Sequence, residues 1–159
     1  ANPDEVYKHE TPFSLIPFML KKSFNEKVES EKFYLLLADS GMGKTSFMVN
    51  LYLKNYSLLN YLFGKKYDMR LLRFQSPDQN NPVDVLDRLK NIKEDDVSET
   101  ILLLDGLDED PFIFSKDKSI SDEDAFNKRI DAIVTATWMY KDIVLTCRTQ
   151  YFPQQPSGL

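Results

Sequence analysis

One stretch constrains this chain more than any other. The apolar run Phe33-Tyr34-Leu35-Leu36-Leu37-Ala38 leads without a polar break into Asp39-Ser40-Gly41-Met42-Gly43-Lys44-Thr45. A continuous apolar run, bounded by charge before it and glycines after it, reads as a strand buried on both faces. Phe47, Leu51, Tyr52 and Leu58 or Leu59 follow at roughly helical spacing. That spacing predicts a helix over residues 44–61. A strand, a glycine turn and a helix in succession are the start of a sheet with crossover helices.

The rest of the chain continues the alternation. Residues 69–74 read as a second strand. A loop over 76–82 ends in Asn81-Pro82, which resembles an N-cap followed by Pro at the first helical position. Val85, Leu86, Leu89 and Ile92 mark a short amphipathic helix, and residues 94–99 an acidic surface turn. Ile101-Leu102-Leu103-Leu104 is a third buried strand. A loop over 111–121 carries a helical turn at 112–114, and Ser121 caps a long helix. On that helix Phe126, Ile130, Ile133, Val134 and Thr137 share one face. Residues 143–146 form a fourth strand. The order β-α-β-α-β-α-β predicts an α/β fold, a parallel sheet with helices on both faces. Upstream, residues 1–12 read as a polar arm. A short helix starting near Pro17 turns Phe18, Leu20 and Phe24 inward, and residues 21–32 are charged and surface-like.

Composition excludes several function classes. The 159 residues suit one domain, and 42% hydrophobic with 28% charged residues is a globular composition. A net charge of −5 gives no electrostatic case for nucleic acid. A single cysteine permits no intrachain disulfide, so a reducing, cytoplasmic location is expected. The apolar runs at 33–38 and 101–104 fall far short of the ~20 residues of a membrane helix. The chain begins at Ala1 without Met and ends on the polar Pro156-Ser157-Gly158-Leu159, which suggests a piece of a longer protein.

The glycine turn has a chemistry of its own. Ala38-x-x-x-x-Gly43-Lys44-Thr45 is the phosphate-loop pattern with one departure, Ala38 where the first glycine is usual; Gly41 supplies a second glycine. Backbone N–H groups that converge on phosphate oxygens demand small side chains, so Ala38, Asp39, Ser40, Gly41, Met42, Gly43, Lys44, Thr45 and Ser46 are the candidate nucleotide-binding set. Lys44 carries a flexible cation to the β- and γ-phosphates. The Thr45 hydroxyl is a compact oxygen ligand for Mg2+. The helix that starts here adds its positive dipole end.

The third strand ends in Asp105, which is a candidate Mg2+ ligand beside that loop. Asp-Gly is also a good turn signal, so Asp105 could serve only as a turn cap. Asp108 and Glu109 follow, and one of them is a candidate to polarise the attacking water. Asp110 reads as part of a solvated acidic turn.

The strings Gly41-Met42-Gly43-Lys44-Thr45, Leu102-Leu103-Leu104-Asp105-Gly106-Leu107-Asp108-Glu109 and Leu145-Thr146-Cys147-Arg148 together resemble the NACHT family of STAND ATPases. Ala38 and Cys147 stand where related sequences often have Gly and Ser. The resemblance spans residues 33–152. It implies a P-loop NTPase three-layer sandwich in which the 143–146 strand is inserted between the Walker A and Walker B strands, giving the order 1-4-3-2. It implies that Arg148 senses the γ-phosphate; a plain ion pair at a strand end is the alternative. Its cofactors would be ATP or ADP with Mg2+. The preference for adenine rests on the resemblance, since no guanine-reading Asn-Lys-x-Asp string is present.

Domain organisation follows from the same likeness. Residues 1–32 would be an arm and short helix, and 33–159 a core that stops before helical and winged-helix domains. NACHT proteins are switches of innate immunity, cell death or anti-phage defence whose nucleotide state governs self-association, with effector and sensor domains elsewhere in the protein. A wall for the base could come from residues 13–18, by position only; packing of an arm on the sheet is an equal reading. The alternatives are an AAA-type motor or loader, and a nucleotide-binding module that hydrolyses little. A small-molecule kinase gives no reason for the Asp-Gly-x-Asp-Glu string.

His9 lies in the polar arm and suggests no catalysis. Cys147 is expected as a small buried residue, Asp122-Glu123-Asp124 as first-turn carboxylates that suit a helix dipole, and Trp138 as core.

Overall fold

The computed structural model describes residues 14–25, 32–57, 62, 66–76, 78–92, 94–113 and 121–151, without the side chains of 94–96. In chain order these give α1 (Leu15–Phe18), which runs on into a π turn (Met19–Ser23), then β1 (Phe33–Leu37), α2 (Lys44–Asn55), β2 (Asp68–Arg73) and α3 (Val85–Lys90). A 3-10 turn (Glu94–Glu99), β3 (Thr100–Asp105), a second 3-10 turn (Leu107–Glu109), α4 (Asp122–Thr137), β4 (Asp142–Cys147) and a last 3-10 turn (Thr149–Tyr151) complete the series.

The protein is an α/β domain built on a four-stranded, wholly parallel sheet in the order β1-β4-β3-β2. Register fixes which side chains share a face, because alternate residues of a strand point to opposite sides. Leu36 pairs with Thr146, Leu103 with Val144, and Arg73 with Asp105. One face therefore carries Tyr34, Leu36, Met69, Leu71, Ile101, Leu103 and Val144. Met48 and Leu51 of α2, with Met19, Leu20 and Phe24, bury that face. The opposite face carries Leu72, Leu102, Leu104, Ile143 and Leu145, packed by Val85 and Leu89 of α3 and Phe126 and Ile133 of α4. Every residue of β3 and β4 is buried, in keeping with the apolar stretches Ile101–Leu104 and Ile143–Leu145 at their centres.

Several expectations need correction. β1 is not buried on both faces: Phe33, Leu35 and Leu37 are 43%, 40% and 43% exposed, because β1 ends the sheet and α4 lies over its neighbours. Helix α2 stops at Asn55 rather than running to 61. Asn55 is fully buried, and its amide clamps the backbone of Tyr67, donating to the carbonyl at 2.8 Å and accepting from the N–H at 3.0 Å. The first helix starts near Pro17, at Leu15, and Leu20 and Phe24 turn inward as expected, but Phe18 is 36% exposed and Met19 is buried in its stead. The cap of α3 is Asp84, whose carboxylate accepts from Leu86 N–H at 2.9 Å; the Asn81-Pro82 signal lies upstream of the helix. Trp138 is 63% exposed at the end of α4, not core. Of the helical turn expected at 112–114, Phe112 and Ile113 are not helical and residue 114 lies outside the described residues; a 3-10 turn is found instead at Leu107–Glu109. Ser121 does cap α4, accepting from Asp124 N–H at 3.0 Å.

Among the described residues no helix is long and apolar enough to cross a membrane.

Candidate functional site

The glycine turn lies between the C-terminal end of β1 and the start of α2. Ala38 N–H donates to the Cys147 carbonyl at 3.2 Å, which ties the turn to the tip of β4. Gly41 and Gly43 adopt φ of +80° and +82°, and no residue other than glycine has positive φ among those described. Ala38 thus has no positive φ, so its backbone does not call for glycine. The two glycines that bend the turn are those the sequence provides. Added Cβ atoms would find open space at Gly41 and only Ser46 Cβ, 4.0 Å away, at Gly43, so the requirement is conformational rather than steric. Lys44 folds back over the turn, its Nζ donating to the carbonyls of Ala38 at 2.9 Å and Asp39 at 3.2 Å. Met42, Thr45 and Ser46 are exposed.

The tips of β3 and β4 are joined by a buried hydrogen-bonded pair. Thr146 Oγ1 donates to Asp105 Oδ1 at 2.8 Å and accepts from Gly106 N–H at 2.8 Å. Thr146 is fully buried and Asp105 4% exposed. Asp105 continues the face that carries Ile101 and Leu103, the same face that α2 covers. Lys44, the first residue of α2, and Asp105 therefore lie at the same end and on the same side of the sheet.

Beyond Asp105 the chain turns at Gly106, φ +79°, and drives Leu107 fully into the core. Asp108 and Glu109 then have opposite fates. Asp108 has a 2% exposed side chain, paired with Arg148 Nε at 2.7 Å and accepting from Arg148 N–H at 3.1 Å. Glu109 is exposed and borders a cleft of about 210 Å³ lined also by Gln75, Ser76, Gln79, Pro82 and Pro111. That cleft lies beside the acidic turn, not at the glycine turn.

Asp110 corrects the expectation of a solvated carboxylate: it is 3% exposed. Arg129 of α4, itself 8% exposed, donates from Nε to Asp110 Oδ2 at 2.7 Å and grips both oxygens of Asp84 at 2.6 and 3.0 Å. Burial pushes the Asp110 carboxyl up despite Arg129. At the less enclosed Asp84, burial is outweighed by Arg129 and the Leu86 N–H, which hold it down. One guanidinium thus fixes the acidic turn to the cap of α3. Cys147 is fully buried, and burial, reinforced by the Asp108 charge, pushes its thiol up to about 11.

Sequence reasoning missed two members of this neighbourhood. Arg73, at the tip of β2, has its Nε 3.8 Å from Asp105 Oδ2. Arg129 reads as one more charge on an amphipathic helix. Neither has a motif; only strand register and helix packing bring them in. Among the described residues no group of three or more His, Cys, Asp or Glu could by itself hold a metal. Comparison of the chain with protein families, with characterised proteins and with solved structures finds no match in any of the three.

Proposed function

We propose that the chain is the nucleotide-binding core of a Mg2+-dependent, ATP-preferring NTPase with a P-loop fold, of the kind on which NACHT-type STAND switches are built. In this reading its nucleotide state governs self-association of a longer protein in which effector and sensor domains lie outside the chain. The observation that carries the reading is that Lys44 and the Asp105–Thr146 pair lie at one end and on one side of a parallel sheet.

The donors suit the ligands. Lys44 spends its ammonium protons on two loop carbonyls that phosphate oxygens can replace with stronger, charge-assisted bonds. Thr45 and Asp105 offer a hydroxyl and a carboxylate, the hard oxygen donors that Mg2+ prefers when phosphates complete its shell. Mg2+, when bound, supplies neutralisation of the phosphate charge. Thr146 holds one Asp105 oxygen and so orients the other. Glu109 is the exposed carboxylate able to take a proton from water, and Asp108 instead orients Arg148. Because one of the two acidic side chains is committed to that pairing, a binding module with little hydrolysis is the second reading. The test is metal dependence: Asp105→Ala is expected to abolish the effect of Mg2+ on nucleotide affinity while metal-free binding persists. Full Mg2+ dependence in that variant would remove Asp105 from the site.

A further inference from the structure

Asp105 has two oxygens with different surroundings. Oδ1 is hydrogen-bonded to Thr146, whereas Oδ2 faces Arg73 Nε at 3.8 Å, an ion-pair distance beyond hydrogen bonding. The contact follows from the ladder, in which Arg73 and Asp105 are direct neighbours on one face. The Asp105 side chain is 5% exposed and that of Arg73 is 52% exposed. A carboxylate so buried needs a countercharge, and Arg73 is the cation that pairs with it among the described residues. The Arg88 guanidinium donates to the Arg73 carbonyl, so the Arg73 backbone is anchored while its side chain is half exposed to solvent.

We propose that Arg73 occupies the place of the divalent cation at Asp105, so that metal binding there displaces a guanidinium into solvent. The inference rests on the nucleotide reading above and adds a residue that sets metal affinity. A half-exposed guanidinium that makes no hydrogen bond among the described residues is cheap to displace, yet keeps Asp105 from standing as an uncompensated buried charge. Arg70 provides the internal control. It lies on the same strand and carries the same charge, but points to the opposite face and pairs with Asp68 at 3.5 Å.

The experiment titrates Mn2+ into the whole chain saturated with ADP, following the EPR signal of the free ion against an ADP-only blank. Wild type, Arg73→Gln, Arg73→Lys and Arg70→Gln are compared at low salt. Arg73→Gln is expected to bind Mn2+ about three- to fivefold more tightly than wild type, the worth of a partly exposed ion pair. Arg73→Lys and Arg70→Gln are expected to match wild type, and the gain is expected to shrink in high salt. Equal or weaker binding by Arg73→Gln overturns the inference and leaves the metal site standing. So does an equal gain in Arg70→Gln, which would mark a general charge effect. Failure of every protein, wild type included, to take up Mn2+ above the blank overturns both the inference and the metal reading beneath it.

Discussion

Arg148 and Asp108 hold each other by two contacts, side chain to side chain at 2.7 Å and Arg148 N–H to the same carboxylate at 3.1 Å. The second contact matters as much as the first, because it fixes the backbone at the tip of β4 against the acidic turn. Asp108 is thereby occupied, and Glu109 is left as the exposed acid. Glu109→Gln is therefore expected to keep ATP binding and lower single-turnover hydrolysis by about a hundredfold or more, the scale of a lost general base. A slow Asp108→Asn enzyme alongside an unimpaired Glu109→Gln would transfer the role to Asp108.

Arg129 should be the most sensitive charged residue in the domain. Replacing it with Met leaves Asp110, 3% exposed, and Asp84 without their shared partner. Removing one member of a buried pair costs about 3–5 kcal/mol. Urea unfolding of Arg129→Met is expected to show a loss of that size. A change below about 1 kcal/mol, the range of exposed pairs, would mean that the network contributes little.

Cys147 gives a pH test. Its thiol is raised from 9.0 to about 11 in the folded chain, chiefly by burial. A raised folded value means that its contribution to stability is complete below about pH 9 and is lost as pH climbs towards 11. Iodoacetamide at pH 8 is expected to alkylate the native chain at least about a hundredfold more slowly than the urea-unfolded chain, as a shift of this size in thiolate population requires. Comparable rates would show that Cys147 is accessible.

Gly106 joins the metal-ligand candidate to the acidic turn at φ +79°. A Cβ there would meet Glu109 Oε2 at 3.5 Å, an ordinary contact, so the penalty of Gly106→Ala is backbone strain alone. A loss of about 1–2 kcal/mol is expected in thermal or urea unfolding. No loss would imply that the turn readily adopts another shape.

Periodicity and apolar runs made much of the fold readable. All four strands lie within two residues of where the sequence puts them, and the Ser121 cap is where a serine before an acidic first turn belongs. The alternation of elements also gave the parallel α/β class. The errors have physical causes. An apolar run cannot say whether a strand is central or terminal, so β1 was expected to be covered on both faces. Asp84 and Asn81 are equally good caps by type, and only Arg129 on a distant helix selects Asp84. The strand order followed from the NACHT resemblance, since no residue pattern specifies it. Arg73 was invisible for the same reason: register across a parallel ladder has no signature within either strand. The glycine turn was legible because its backbone, φ +80° at Gly41 and +82° at Gly43, demands glycine at those two places; the roles of Lys44 and Asp105 belong to the proposal.

The central claim is that Lys44 and the glycine turn hold a nucleotide. Calorimetric titration of ATP, ADP and GTP into the chain, with and without Mg2+, for wild type and Lys44→Ala, addresses it directly. The account predicts adenine-nucleotide binding strengthened by Mg2+ in wild type and abolished in Lys44→Ala. Undiminished ATP binding in Lys44→Ala would contradict it.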